Sequence, residues 1–260
     1  MSVIYEPRGK AREYSPLALN LYMGCPHKCL YCYGPSCLQR KREDYFQVPE
    51  PRKNILENLK KQLEKERPTQ QVLLSFIGDP YGRASDDNEV TRSVLEVFLD
   101  KKTPAAILTK GGTRCLKDME LFKRFGEHIQ VGATLTLHDL EDSEKWESGA
   151  AKPEDRLDAL RELHKAGIKT FASFEPVVDP EQSLMLMRDG LDIIDTFKIG
   201  KINNYGGLDK EIDWTDFLQR ALRILRPAGK RIYIKHDLRE AAPSIRLYGN
   251  EVLPDEHNVS

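Results

Sequence analysis

Four of the five cysteines crowd one short segment, Cys25, Cys29, Cys32 and Cys37, and Cys115 stands alone. The first three read C-x3-C-x2-C within Gly24-Cys25-Pro26-His27-Lys28-Cys29-Leu30-Tyr31-Cys32-Tyr33. Three thiolates from one loop suit three irons of a 4Fe-4S cluster and leave the fourth iron without a protein ligand, open to a substrate or cofactor. Gly24 allows the sharp backbone turn that such a loop needs. A zinc site using Cys37 as fourth thiolate competes with this reading, as would a zinc-stabilised binding module without catalysis. Structural zinc sites, however, usually separate two ligand pairs by a longer stretch so that the pairs converge on a tetrahedron. The uneven placing also argues against a disulfide framework.

Elements must carry this loop. Apolar and β-branched runs at 17–23, 72–77, 105–108, 129–137, 169–174, 192–199 and 231–234 predict strands. Helical spacing at 52–66, 88–99, 116–125, 153–166, 181–189 and 214–225 fills the intervals, with Pro153 at a first turn and Gly167 after a last one. Regular alternation of strand and helix points to parallel strands joined by right-handed crossovers. Six or seven such units predict an α/β fold of barrel type. No Gly-rich dinucleotide fingerprint follows the first strand. The barrel is expected over 14–235 and a C-terminal extension over 236–260, irregular from Ala241 onward.

The 260 residues are 40% hydrophobic, enough for one well-cored domain. Forty basic residues balance 41 acidic ones at a net charge of -1, so any nucleic-acid contact has to be a local patch. The first residues lack the apolar stretch of a signal peptide and no later run is long enough to span a bilayer, so a cytoplasmic protein without membrane contact is expected.

With an aromatic residue, Tyr31, just before the third cysteine, the loop resembles the signature of the radical S-adenosylmethionine superfamily. The resemblance implies a partial (β/α)6 TIM-like barrel with the cluster-binding loop after the first strand. It implies S-adenosylmethionine bound through its amino and carboxylate groups to the open iron, with one-electron cleavage yielding a 5'-deoxyadenosyl radical that abstracts hydrogen from substrate. It also implies an electron donor such as flavodoxin or ferredoxin. The cofactor asks for acceptors, a cation and a flat wall, and the strand ends supply candidates: Tyr31, the Gly78 carbonyl, Asp79 in place of the superfamily's frequent Glu, Lys110 for the carboxylate, and Thr134 and Thr136 for the ribose. Gly-Asp-Pro is also an ordinary turn and threonine an ordinary strand residue.

Within the superfamily the chain is similar to the spore photoproduct lyase and DNA-repair-photolyase-like branch, through Asp79-Pro80-Tyr81, Thr91-Arg92-Ser93-Val94-Leu95-Glu96, Leu108-Thr109-Lys110, Pro153-Glu154-Asp155-Arg156-Leu157 and Glu175-Pro176-Val177-Val178. The branch implies a nucleobase in DNA or RNA as substrate; a peptide or small metabolite is the alternative. Photoproduct lyases carry a hydrogen-returning cysteine on the second strand, where this chain has Phe76. Tyr81 and Cys115 are the candidate catalytic residues, Cys115 as a substitute hydrogen donor or else a buried helix-start thiol. By position alone, Arg92, Glu175, Lys198, Lys201, Asn203 and Lys235 are candidates for the substrate side.

Overall fold

Side chains alternate across each strand, and this alternation decides which residues face the helices and which face the lumen. In the computed structural model, which describes residues 2–47, 49–83, 89–203 and 205–252, seven parallel strands pair in sequence order: β1 (Leu17–Ala18), β2 (Val72–Leu74), β3 (Ala105–Thr109), β4 (Ile129–Thr134), β5 (Lys169–Val177), β6 (Thr196–Lys201) and β7 (Arg231–Ile234). No pairing joins β1 to β7 among the described residues, so the sheet is a curled half-barrel. It is the partial TIM-like barrel that the resemblance implies, with seven strands.

Eleven α-helices fall among the described residues: α1 (Gly34–Cys37), α2 (Arg42–Tyr45), α3 (Ile55–Lys65), α4 (Val90–Asp100), α5 (Met119–Phe125), α6 (Leu140–Trp146), α7 (Pro153–Lys165), α8 (Pro180–Asp189), α9 (Trp214–Leu225), α10 (His236–Ala241) and α11 (Gly249–Val252). Three of them start on aspartates whose carboxylates accept from the backbone three residues on, Asp139 from Asp142, Asp179 from Gln182 and Asp213 from Asp216, which satisfies an otherwise orphaned N–H. Ile55, Leu59 and Leu63 of α3, Val94 and Phe98 of α4 and Phe122 of α5 bury against the outward Val72, Leu74, Ile107 and Val131. Leu160 of α7, Leu184 of α8 and Phe217 of α9 cover Ala172, Phe174, Phe197 and Ile199. Each fully buried side chain of this size contributes roughly 1.5–3 kcal/mol.

The expected elements recur with shifted bounds. The first strand leaves its ladder after Ala18, because Leu21 N turns to the Ser75 hydroxyl (3.3 Å) and the Asn20 carboxamide accepts from Phe76 N and Ile77 N (both 2.9 Å). β5 runs beyond its apolar stretch to Val177. The extension expected to be irregular carries α10 and α11, and Glu251 of α11 pairs with Arg226 through two contacts of 2.7 and 2.8 Å. Asn88 and residues 253–260 lie outside the described residues.

The N-terminal segment crosses the open side of the sheet. Tyr5 bridges to Ala18 beside β1, whereas Glu13 accepts from the Tyr233 hydroxyl (2.8 Å) and His236 N (2.9 Å) beyond β7. Tyr14 then enters the lumen, where it packs with Leu73 and Ala106.

Candidate active site

The cysteine loop leaves β1 and is gripped on all sides. Gly24 has φ +142°, and a Cβ there would lie 2.7 Å from the Tyr45 carbonyl, so only glycine fits. Cys25 N donates to that same carbonyl (3.1 Å). The Arg42 guanidinium of α2 donates to the carbonyls of Cys29 (2.8 Å), Leu30 (3.1 Å) and Cys32 (3.3 Å). From the α6–α7 connection, Trp146 O accepts from Leu30 N, and Gly149 N donates to His27 O, both at 2.9 Å. Gly34 N points at the Cys32 sulfur (3.4 Å).

All three thiols are free of disulfides, Cys25 and Cys29 buried and Cys32 half-buried. Burial, foremost, pushes the Cys25 thiol well above its usual value, Cys29 up to about 12, and Cys32 upward. Holding a metal would require these thiols to give up their protons. Cys37 stands apart from them, exposed at the end of α1.

Asp79, buried after β2, ties this loop to β3. One carboxylate oxygen accepts from the Thr109 hydroxyl (2.6 Å) and Tyr81 N (2.8 Å), and the other from Lys110 N (2.7 Å) with His27 Nε2 at 2.9 Å. The far His27 nitrogen lies 3.1 Å from the Gly149 carbonyl. Burial alone would raise the Asp79 pKa; His27 and the hydrogen bonds outweigh it and hold the group at about 2. Gly78, at φ +83°, is wedged against the Gly24 carbonyl.

A second buried anion fixes Tyr31. Its hydroxyl donates to Glu147 Oε1, to which the Thr136 hydroxyl also donates (3.0 Å). Arg156 pairs with the other Glu147 oxygen (2.6 Å) and donates to the carbonyls of Ala151 (2.8 Å) and Thr134 (3.0 Å). Lys110 Nζ sits 5.6 Å from the Tyr31 ring centre and 3.9 Å from Glu147. Burial works against the Glu147 charge, but Arg156 and Lys110 prevail and keep its pKa at about 2. Arg156, fully buried in α7, falls within one of the branch motifs quoted above, whereas Glu147, at the C-terminal end of α6, carries no motif that reveals it in advance.

The structure therefore brings Cys25, Cys29, Cys32, Tyr31, Gly78, Asp79, Lys110, Thr134 and Thr136 to one rim. It does not bring Tyr81 and Cys115 there. Both are buried in the apolar layer under the helices, where the Tyr81 hydroxyl donates to Asp118 (2.8 Å) and burial pushes the Cys115 thiol up to about 12. Arg92 pairs with the same Asp118 (2.6 Å), and Lys201 lies 3.4 Å from Asp209, with Asn203 donating to the Lys201 carbonyl. Glu175, Lys198 and Lys235 meet in the lumen around Tyr14.

The Radical SAM superfamily model matches residues 19–188, from the end of β1 through most of α8. The chain belongs to the radical S-adenosylmethionine superfamily. Among curated relatives it is 31% identical over 163 residues to an uncharacterized protein of Methanocaldococcus jannaschii, covering 62% of this chain and 60% of the relative. It is 27% identical over 169 residues to an uncharacterized protein of Mycobacterium bovis, covering 62% and 49%. Of solved structures, Streptococcus suis SuiB bound to S-adenosylmethionine superposes with a TM-score of 0.60 at 17% identity, over 89% of this chain and 53% of that one. A spore photoproduct lyase gives 0.55 at 16%, over 84% and 64%. The chain thus spans about half to two thirds of the proteins it matches, and the structural likenesses establish the fold. Membership of this superfamily implies S-adenosylmethionine and an iron-sulfur cluster. Among the described residues no helix is long and apolar enough to cross a membrane.

Proposed function

We propose that Cys25, Cys29 and Cys32 hold a 4Fe-4S cluster whose open iron receives S-adenosylmethionine, and that the enzyme abstracts hydrogen from a nucleobase in DNA or RNA. The supporting observation is the braced loop of three free thiols after β1, set beside Lys110. When bound, the two groups supply a 5'-deoxyadenosyl radical after transfer of one electron from a flavodoxin- or ferredoxin-type donor.

The protein's own residues bind and orient. Lys110 offers its ammonium to the methionyl carboxylate, and the Gly78 carbonyl an acceptor to the amino group. Tyr31, its hydroxyl held by Glu147, gives a wall of fixed orientation, and Thr134 faces the same rim. Asp79 and Thr136 support the site through others, since their polar atoms already engage His27, Lys110 N, Thr109 and Glu147. Tyr81 and Cys115 belong to packing in this reading. The nucleobase rests on the branch motifs quoted above, and it requires salt-sensitive binding through local basic contacts.

Anaerobic purification, iron and sulfide analysis, and a dithionite-dependent assay for 5'-deoxyadenosine test the proposal. The wild type is expected to hold iron and sulfide in equal amounts and to form 5'-deoxyadenosine. Cys29→Ala is expected to lose the cluster and the product while keeping its far-UV circular dichroism. Full activity in that variant would end the reading.

A further inference from the structure

A second polar assembly, away from the thiols, lines the lumen on β5, β6 and β7. Register sets Ser173 beside Lys198 and Lys198 beside Tyr233; beyond them, where the β5–β6 register shifts after Phe174, Glu175 and Lys235 meet against Gly200. A Cβ on Gly200 would stand 2.9 Å from Glu175 Cδ and 3.0 Å from both Glu175 Oε1 and Lys235 Cδ. Glycine at this place lets the carboxylate and the ammonium reach across β6 and meet at 2.9 and 2.7 Å. The Tyr14 hydroxyl donates to Glu175 (2.6 Å), with the Ser173 hydroxyl at 2.6 Å, and Lys235 Nζ lies 4.5 Å from the Tyr14 ring centre.

Aromatic groups connect this pair to the cluster loop. Phe76 meets Tyr14 edge to face, with centroids 6.3 Å apart. Tyr33, next to Cys32 and 55% exposed, donates its hydroxyl to the Phe76 carbonyl (3.0 Å). Lys198 directs its ammonium at the Tyr14 carbonyl (3.3 Å) and over the Phe171 ring (5.0 Å).

Charge and exposure narrow what this place can take. The carboxylate is the more open partner, its side chain 19% exposed against 5% for Lys235. A cationic group finds the countercharge already supplied, and an anionic one meets the carboxylate first. A neutral N–H donor fits, and aromatic walls favour a flat ring, as in pockets that read an unstacked base by its edge and faces.

We propose that Glu175 accepts a hydrogen bond from an N–H on the edge of a nucleobase lodged among Tyr14, Phe76 and Tyr33. Lys235 acts through Glu175 as its positioning residue, and Gly200 leaves room for the pair. This site rests on the nucleobase reading given above.

Binding of a short fluorescein-labelled single-stranded DNA to the reconstituted full chain, compared with an abasic strand of equal length, tests it by fluorescence anisotropy. Because one stacked base is worth about 1–3 kcal/mol, the wild type is expected to prefer the base-bearing strand by at least about fivefold. Glu175→Ala and Lys235→Met are expected to reduce the preference to what stacking alone supplies, while both strands keep the same salt dependence. Gly200→Ala, which pushes a methyl group into the pair, is a second variant should Lys235→Met fail to fold. An unchanged preference in soluble Glu175→Ala, competition by an unstructured peptide as strong as by the base-bearing strand, or loss of S-adenosylmethionine binding in Glu175→Ala would each overturn the site. Wild-type formation of 5'-deoxyadenosine without any base preference would overturn the site and leave the radical chemistry standing. A base preference without 5'-deoxyadenosine would support the site and count against that chemistry.

Discussion

Arg156 and Glu147 form a salt bridge with side chains 1% and 0% exposed, at the hydroxyl of Tyr31. Removing one partner of such a pair leaves an uncompensated buried charge, which costs about 3–5 kcal/mol, whereas replacing both by apolar side chains is often far milder. Arg156→Ala is therefore expected to lower stability by that amount in urea unfolding of the metal-free protein. The Glu147→Leu/Arg156→Leu double variant is expected to recover most of it. Equal destabilisation in the two would show that the pair's charge is not what matters. The double variant also frees the Tyr31 hydroxyl, so its cofactor affinity separates the ring's orientation from the stability of the loop.

Helices of four residues do much of the holding at the element scale. α2 exists to place Arg42, whose guanidinium gathers three carbonyls of the cysteine loop. Partners of this kind behind a metal's ligands typically account for 10- to 100-fold in metal affinity. Arg42→Ala is expected to lose iron to a chelator about tenfold faster than the wild type, with secondary structure intact. An unaltered rate of loss would mean that the loop is rigid without its clamp.

Across the whole molecule the chain's two ends brace the half-barrel from opposite sides. The N-terminal segment reaches from β1 to β7 and drops Tyr14 into the lumen, while α11 returns to α9 through Glu251 and Arg226. Burial opposes the Glu251 charge, but the hydrogen bonds from Arg226 and Tyr248 N lower its pKa below the ordinary 4.5. A depressed carboxylate contributes stability that is present above its unfolded value and lost as pH falls through the folded one. The wild type should thus melt higher than Glu251→Gln at pH 7, by an amount corresponding to about 2 kcal/mol. The gap should close as the pH is lowered below 4.5. A gap that stays constant across this range would remove the ion pair as its cause.

The sequence alone determined the parts whose physics is local. A three-thiol loop after an apolar strand carries the superfamily signature through residue type and spacing, and strand-helix alternation declares a parallel sheet with covered faces. Seven strands and six of the longer helices followed from periodicities of 2 and 3.6 residues. Periodicity missed α1, α2, α6, α10 and α11, none longer than seven residues, and the strap of residues 2–16, which has no repeat. Only the tertiary structure decided that Asp79 clamps His27 and the backbone of Lys110, that Glu147 and Arg156 meet at the hydroxyl of Tyr31, and that Glu175 meets Lys235 over Gly200. Each of these contacts joins residues far apart in the chain, brought together by the curl of the sheet, and no spacing between neighbours encodes it. Tyr81 and Cys115 show the same from the other side: their residue types permit chemistry, and the fold buries them where only packing is left.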